Sequence, residues 1–309
     1  MDWTIDNLLA ADLVLADGRF VTASATEHED LFWAIRGGGG NFGVVTSFLF
    51  KAHDIHTDYA GPMLWPLEQT REVMQWHRQF IVEAAENITG FFAFLVVPPG
   101  PPFPEHLHHK NMCGIVWCYT GPLESAEEVF KPIRAFCPPT LDLVGPLPHP
   151  VVQSMFDALY MPGLQWYWKA DFFKELSDEA IELHLVHGSK VPTMQSAMHL
   201  YPINGRAAQM GKSDTAWSYR DAVWAQVIVG VDPDPGNKER IVTWATDYWH
   251  ALHPHSAGGA YVNFMMDEEG EDRVKASYRE NYERLVAVKN KYDPGNFFRV
   301  NQNINPVRV

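Results

Sequence analysis

Cysteine is scarce: Cys113, Cys118 and Cys137 are the only three. So sparse and odd a set builds neither a disulfide framework nor a four-thiolate zinc site, and the three read as buried free thiols. Positive charge is thin as well. Lys and Arg number 24 against 38 Asp and Glu, and they are scattered. The formal charge of −14 argues against a nucleic acid partner, which draws its affinity from clustered cations. Long apolar runs are also missing. No stretch of about 18 uncharged apolar residues occurs, and Met1-Asp2-Trp3-Thr4 has neither the basic segment nor the apolar core of a secretory signal. The sequence is therefore expected to be soluble and cytoplasmic, with no membrane partner.

Apolar material suffices for a sizeable core, with aromatics well represented. Residues 11–24 alternate apolar and polar groups around Asp17-Gly18, a pairing that supplies positive φ in a tight hairpin. A short helix with Leu31, Phe32, Ala34 and Ile35 inward follows, stopped at Gly37, and Val44-Val45-Thr46 with Phe48 and Phe50 opens a strand. Farther on, helices are expected at 67–86, 123–136 (with Pro132 inside), 151–159, 176–187 and 238–252. Strands are expected at 91–97, 112–119, 165–170, 195–201 and 222–231. The prolines between Val97 and Pro104 make a loop. The last fifty residues read as a strand at 261–264, one charged helix at about 271–291 and a turn at 292–296. This irregular order predicts an α+β fold, an antiparallel sheet with helices on one side.

Gly38-Gly39-Gly40-Asn41-Phe42-Gly43 formally satisfies G-x-G-x-x-G. A dinucleotide fingerprint follows a strand and opens a helix, however, whereas here the helix comes before and the strand after. No Lys-Ser/Thr pair follows, so a phosphate-binding Walker loop fails too. Taken alone, the run is as well explained as a linker or a helix stop.

It does not stand alone. LFWAIRGGGGNFGVVTSFLF, with Asp6-Asn7-Leu8-Leu9 upstream, resembles part of the PCMH-type FAD-binding domain of the vanillyl-alcohol-oxidase superfamily. At the far end, Tyr261-Val262-Asn263-Phe264, Tyr282-Glu283-Arg284-Leu285, Tyr292-Asp293-Pro294 and Asn301-Gln302-Asn303-Ile304 resemble the C-terminal segment of the berberine-bridge-enzyme-like group. The resemblance implies three domains: 1–54, the later part of the FAD-binding domain; 55–256, a substrate domain; and 257–309, a segment returning to the FAD domain. It implies FAD as cofactor, with Asp6, Asn7, Gly39, Gly40, Asn41, Phe42, Gly43, Val44, Val45, Asn301, Gln302 and Asn303 as its contacts. Amide side chains suit the flavin ring because they can bond its carbonyls and nitrogens in either redox state.

Two departures bear on mechanism. The resemblance begins at Trp3-Thr4-Ile5-Asp6-Asn7, so the family's preceding subdomain, which holds the pyrophosphate loop and any covalent flavin ligand, has no counterpart in this sequence. Loss of those contacts weakens cofactor binding and leaves strand edges open. Second, the tyrosine base of many relatives, fourth in a Tyr-x-Asn-Tyr pattern, is Phe264 here, which cannot take a proton. Tyr261 is the remaining candidate base.

Tyr167 and Gln226 are candidate substrate contacts, with Trp224 and Gln226 on one face by strand alternation. Trp166, Trp168, Trp217 and Trp224 read first as core. Histidines at 184 and 187, at 250, 253 and 255, and at 106, 108 and 109 read as solvated surface groups and not as metal ligands. Two functional classes stay open: an oxidase passing substrate hydride to FAD and reoxidised by dioxygen, and a non-catalytic remnant or half of a split enzyme that needs a separate N-terminal FAD subdomain.

Overall fold

The computed structural model describes residues 3–300 and 302–307. Contacts divide the chain into two compact units: 1–53 with 205–222 and 257–309, and 54–204 with 223–256.

The first unit opens on the expected hairpin. β1 (Leu8–Val14) pairs antiparallel with β2 (Phe20–Ser24) across a turn in which Gly18 has φ +83°. Helix α1 (Glu29–Ile35) buries Leu31, Phe32, Trp33 and Ala34 and ends before the glycines, and β3 (Val44–Phe50) pairs with the other side of β1. β3 is therefore an edge strand, and its apolar residues are open: Val44, Phe48, Leu49 and Phe50 are all more than 40% exposed.

The second unit is an antiparallel sheet ordered β7-β4-β6-β5-β10-β11-β9, with β8 also on β4. Its elements in chain order are β4 (Thr57–Pro66), α2 (Thr70–Glu83), β5 (Ile88–Val96), β6 (Asn111–Tyr119), α3 (Leu123–Phe136), β7 (Leu141–Asp142), β8 (Gly145–Pro148), α4 (His149–Gln153), β9 (Gln165–Phe173), α5 (Asp178–Gly188), β10 (Ala197–Pro202), β11 (Trp224–Asp232) and α7 (Lys238–Leu252), where α6 (Arg206–Gln209) is left to the first unit. Residues from α2, α3, α5 and α7 join alternate strand residues in one core built on Trp65, Trp117, Trp224, Phe92, Phe94 and Tyr248. The fold is α+β with those helices on one side of the sheet, as expected. Burying aromatics of this size contributes about 2–3 kcal/mol each before the entropy cost is counted.

Several expectations change. β4 is not among the expected strands; it contains Pro62 and Pro66, and its ladder to β6 runs from Tyr59 to Pro66. The helix expected at 151–159 is only α4 followed by a 3-10 turn at Asp157–Leu159. Tyr261–Phe264 is not a strand but leads into a 3-10 turn at Val262–Phe264. The charged helix at 271–291 is two helices, α8 (Glu271–Tyr278) and α9 (Tyr282–Tyr292), broken where Arg279 takes φ +48°.

The domain division also changes: residues 205–222 lie inside the expected 55–256 block but pack with the first unit. The cause is a buried ion pair. Arg220 donates to both Asp6 carboxylate oxygens, at 2.8 and 2.6 Å, and to Thr215 Oγ1 and Ala207 O, while its guanidinium stacks on Trp217.

Cys113 and Cys137 are buried and Cys118 half-buried, all as free thiols. Burial pushes Cys113 and Cys118 up to about 12, which leaves them protonated and unreactive. The histidines are less solvated than expected. His184 is fully buried against the Tyr248 hydroxyl at 2.7 Å and brought down to about 3 by burial, His253 bonds Asp171, and His108 Nε2 lies 2.9 Å from Phe103 O of the proline loop. No helix among the described residues is long and apolar enough to cross a membrane.

Candidate cofactor wall

The glycine loop and the C-terminal segment meet inside the first unit. Asn41, 2% exposed, is the junction. Its Nδ2 donates to Gly38 O at 2.9 Å and to Gln302 O at 3.1 Å, and its Oδ1 accepts from Ile304 N–H at 2.9 Å. Below it, the wholly buried Lys289 ammonium donates to Asn41 O, Phe298 O and the Asp293 carboxylate at 2.6–2.9 Å. Asp293 in turn accepts from the N–H groups of Phe297 and Phe298. Burial alone would raise the Asp293 carboxyl, but Lys289 and those two amides outweigh it and hold the group below its ordinary range.

Glycine is required at the entry to this loop. At Gly37 φ is +113°, and a Cβ there would lie 2.7 Å from Trp217 N. Gly39, with φ +70°, and Gly40 present exposed backbone beyond it.

The candidate cofactor contacts divide into two groups. Asp6 is spent on Arg220; Asn7 bonds Trp3 O and His53; Asn41 is fully used as the junction; and Phe42 is 1% exposed core. The Asp6, Asn7 and Asn41 side chains thus have partners within the protein, and Phe42 is core. Gly39, Gly40, Gly43, Val44 and Val45 remain at least partly exposed along the loop and strand. In the C-terminal run, Gln302 turns its Nε2 to Met265 O and Met266 O. Asn303 Nδ2 bonds Asn305, but its Oδ1 is buried without a partner among the described residues. Asn301 lies outside the described residues.

Sequence reasoning missed Tyr278. The residue sits at the end of α8 with its hydroxyl buried and, among the described residues, without a hydrogen-bond partner, 3.7 Å from where a Gly39 Cβ would lie. Burial, then the neighbouring Tyr282 and Tyr261, push it well above the ordinary phenol value, so it stays an O–H donor. Reading 271–291 as one charged helix concealed it; the aromatic amid acidic and basic neighbours was the signal. Tyr261, the candidate base, accepts from Asn263 Nδ2 at 2.7 Å and packs edge-on against Phe264. Burial raises it as well, which holds the phenol protonated and makes it a poor base.

Tyr167 and Gln226 belong to the second unit, where both point toward the helices. Tyr167 pairs with Gly230, whose Cβ position meets Ile241 of α7, and its hydroxyl accepts from Thr246 Oγ1 of α7 at 3.4 Å. Gln226 does share its face with Trp224, but that face is the helix-covered core; it is 2% exposed and neither amide atom has a partner. Neither residue lies on the opposite face of the sheet.

Comparison with known proteins is consistent with this architecture. Residues 260–305 match the family model described as berberine and berberine like. The crystal structure of berberine bridge enzyme from Eschscholzia californica has the same fold, with a TM-score of 0.79 at 17% identity over 98% of this chain and 66% of that one. The C-terminal segment 260–305 is thus similar to the berberine-like family, and the chain as a whole shares the fold of berberine bridge enzyme. Among curated relatives, an FAD-linked oxidoreductase of Dictyostelium discoideum is 26% identical over 307 residues, 99% of this chain. A carbohydrate oxidase of Microdochium nivale is 27% identical over 332 residues, 98% of this chain. This chain spans 64% of the length of each of these two relatives.

Proposed function

We propose that the chain is the later part of an FAD-dependent oxidoreductase, with its first unit forming one wall of the flavin site. The observation that carries this reading is the Asn41 junction, which seats the family-matched segment 260–305 on the exposed glycine loop. The residues present suit a flavin: Gly39 and Gly40 offer open backbone, Tyr278 an uncommitted O–H donor and Asn303 an uncommitted acceptor. The names of the relatives support FAD as the cofactor and a small organic molecule as the substrate. A flavin bound there would supply a hydride acceptor for such a substrate, with dioxygen as the final electron acceptor in the oxidase reading. The protein's part is to hold the ring, exclude water and keep Tyr278 protonated as a donor.

The exposed apolar edge strand β3 favours a second reading alongside the first. With Val44, Phe48, Leu49 and Phe50 open to solvent, flavin retention depends on a further polypeptide segment or a separate FAD subdomain covering that strand. A visible absorbance spectrum of the purified chain, before and after FAD is added, tests the assignment. Flavin bands retained through gel filtration support an autonomous site. A colourless chain that becomes yellow only with a relative's N-terminal subdomain supports the split form. No uptake in either case contradicts the assignment.

A further inference from the structure

A cavity of about 500 Å³ lies in the second unit between the loop that leaves α5 and the first turns of α7, and none of the roles above uses it. Lys190, Pro192, Glu239, Arg240 and Trp244 line it.

Both sides of the cavity are fixed by hydrogen bonds. The His187 carbonyl, in the last turn of α5, accepts from the Trp244 indole N–H at 3.2 Å and from the Lys190 backbone N–H at 3.1 Å, so one oxygen ties the loop to α7. Past Pro192, Thr193 Oγ1 donates to Val231 O of β11, and Ser196 Oγ accepts from Val231 N–H at 2.9 Å. At the start of α7, Asp232 accepts from Asp234 N–H and the Asn237 amide, and Asp234 accepts from Gly236 N–H. The two carboxylates that precede the helix are therefore engaged by their own loop.

The charges on the cavity wall are not so engaged. Lys190, Glu239 and Arg240 are exposed, and among the described residues none of them forms an ion pair. The chain holds 38 acidic residues to 24 basic ones, so two cations without a carboxylate partner on one cavity run against its composition. Glu239 and Arg240 are consecutive on α7, where neighbouring side chains do not face each other. The wall thus presents two positive groups and one negative group outside ion-pair contact with one another, beside the apolar surface of Trp244 and Pro192. The Lys190 charge is felt in the protein behind it: burial and then Lys190 hold His187 below its ordinary value, with Asp247 partly offsetting them.

We propose that this cavity binds a small zwitterion with an apolar body, its carboxylate between Lys190 and Arg240, its ammonium on Glu239 and its body against Trp244 and Pro192. Exposed ion pairs among the three side chains would contribute little, whereas one molecule with a charge at each end gives all three a charge-assisted hydrogen bond. The ligand class is a free α-amino acid with an aliphatic side chain. This site goes beyond the oxidoreductase reading and does not rest on it.

The test is a calorimetric titration of the full chain, without flavin, with L-leucine and two analogues that each lack one charge: 4-methylpentanoate, without the ammonium, and 3-methylbutylamine, without the carboxylate. Each is taken to about 10 mM, tenfold above the roughly 1 mM dissociation constant expected for so small a ligand. Leucine is expected to bind about tenfold more tightly than either analogue. Lys190→Gln and Arg240→Gln each weaken leucine about tenfold, and Glu239→Gln weakens leucine but not 4-methylpentanoate. All three positions are exposed, so the variants should melt with wild type. The site is located by 15N-histidine labelling, with His187 assigned by the signal lost in His187→Gln. Leucine is expected to raise the pH at which His187 titrates, because its carboxylate offsets Lys190, and to leave that pH unmoved in Lys190→Gln. No leucine binding, equal binding of 4-methylpentanoate, binding undiminished in the three variants, or a His187 titration that leucine does not move overturns the proposal. A chain that binds leucine but takes up no FAD counts against the oxidoreductase reading alone.

Discussion

The side chain of Asn41 accepts a hydrogen bond from the backbone of Ile304 at 2.9 Å, across 263 residues of sequence. The same amide donates to Gly38 O and Gln302 O, so three buried bonds tie the glycine loop to the end of the chain. Asn41→Ala removes all three and leaves two carbonyls and an N–H without partners. A loss of about 2–4 kcal/mol is expected in urea unfolding, with residues beyond 300 cleaved faster by protease. A loss under about 0.5 kcal/mol would mean that the loop and the C-terminal segment are held together by something else.

Lys289 and Asp293, both essentially inaccessible, are coupled beneath that junction. Lys289→Met leaves a buried carboxylate without its cation and should cost about 3–5 kcal/mol. Adding Asp293→Asn removes the orphaned charge. The double variant is therefore expected to lose less than the two single losses combined, and strict additivity in a double-mutant cycle would show that the pair does not act as a unit.

Asp221 accepts from Arg279 and Lys212. Burial raises its pKa, but the two cations outweigh burial and hold it far below the ordinary carboxylate value. A depressed folded pKa contributes stability that is fully present above the unfolded value of about 3.9 and is lost as pH falls through the folded one. Asp221→Asn should therefore be less stable than wild type near pH 7, by about 1–3 kcal/mol, with the gap narrowing steadily below about pH 4. Parallel stability curves for the two proteins from pH 7 to pH 2 would exclude this role.

Gly37→Ala places a methyl group 2.7 Å from Trp217 N at a backbone angle that L-residues rarely adopt. Destabilisation of about 1–3 kcal/mol follows. An unchanged melting temperature would show that the loop entry has room the close approach to Trp217 denies.

Much of this was legible because local chemistry and tertiary packing agree. Asp17-Gly18 forces the first hairpin, and helix α7 begins and ends at the expected residues, Lys238 and Leu252, because its apolar period faces the sheet without interruption. Reading failed where long-range contacts override local preference. Pro62 and Pro66 sit in a strand because β6 and the flanking β7 and β8 pair around them. The charge run at 271–291 hid a break that Arg279 stabilises by stacking on Tyr219 and pairing with Asp221. Alternation correctly put Gln226 beside Trp224, but periodicity alone does not say which face the helices cover. Asp6 and Asn41 were found as residues of the site's region, while their roles as internal ties required knowing that Arg220 and Ile304 come to meet them.

The central claim is that the glycine loop and the C-terminal segment form one flavin-binding wall. Hydrogen exchange of the full chain, supplied with FAD and, where needed, with a relative's N-terminal subdomain, tests it most directly. Added FAD is predicted to slow exchange at Gly39–Gly40 and at 302–304 together, with Tyr278→Phe weakening the flavin's retention. Flavin uptake that leaves both segments exchanging as before would contradict the account.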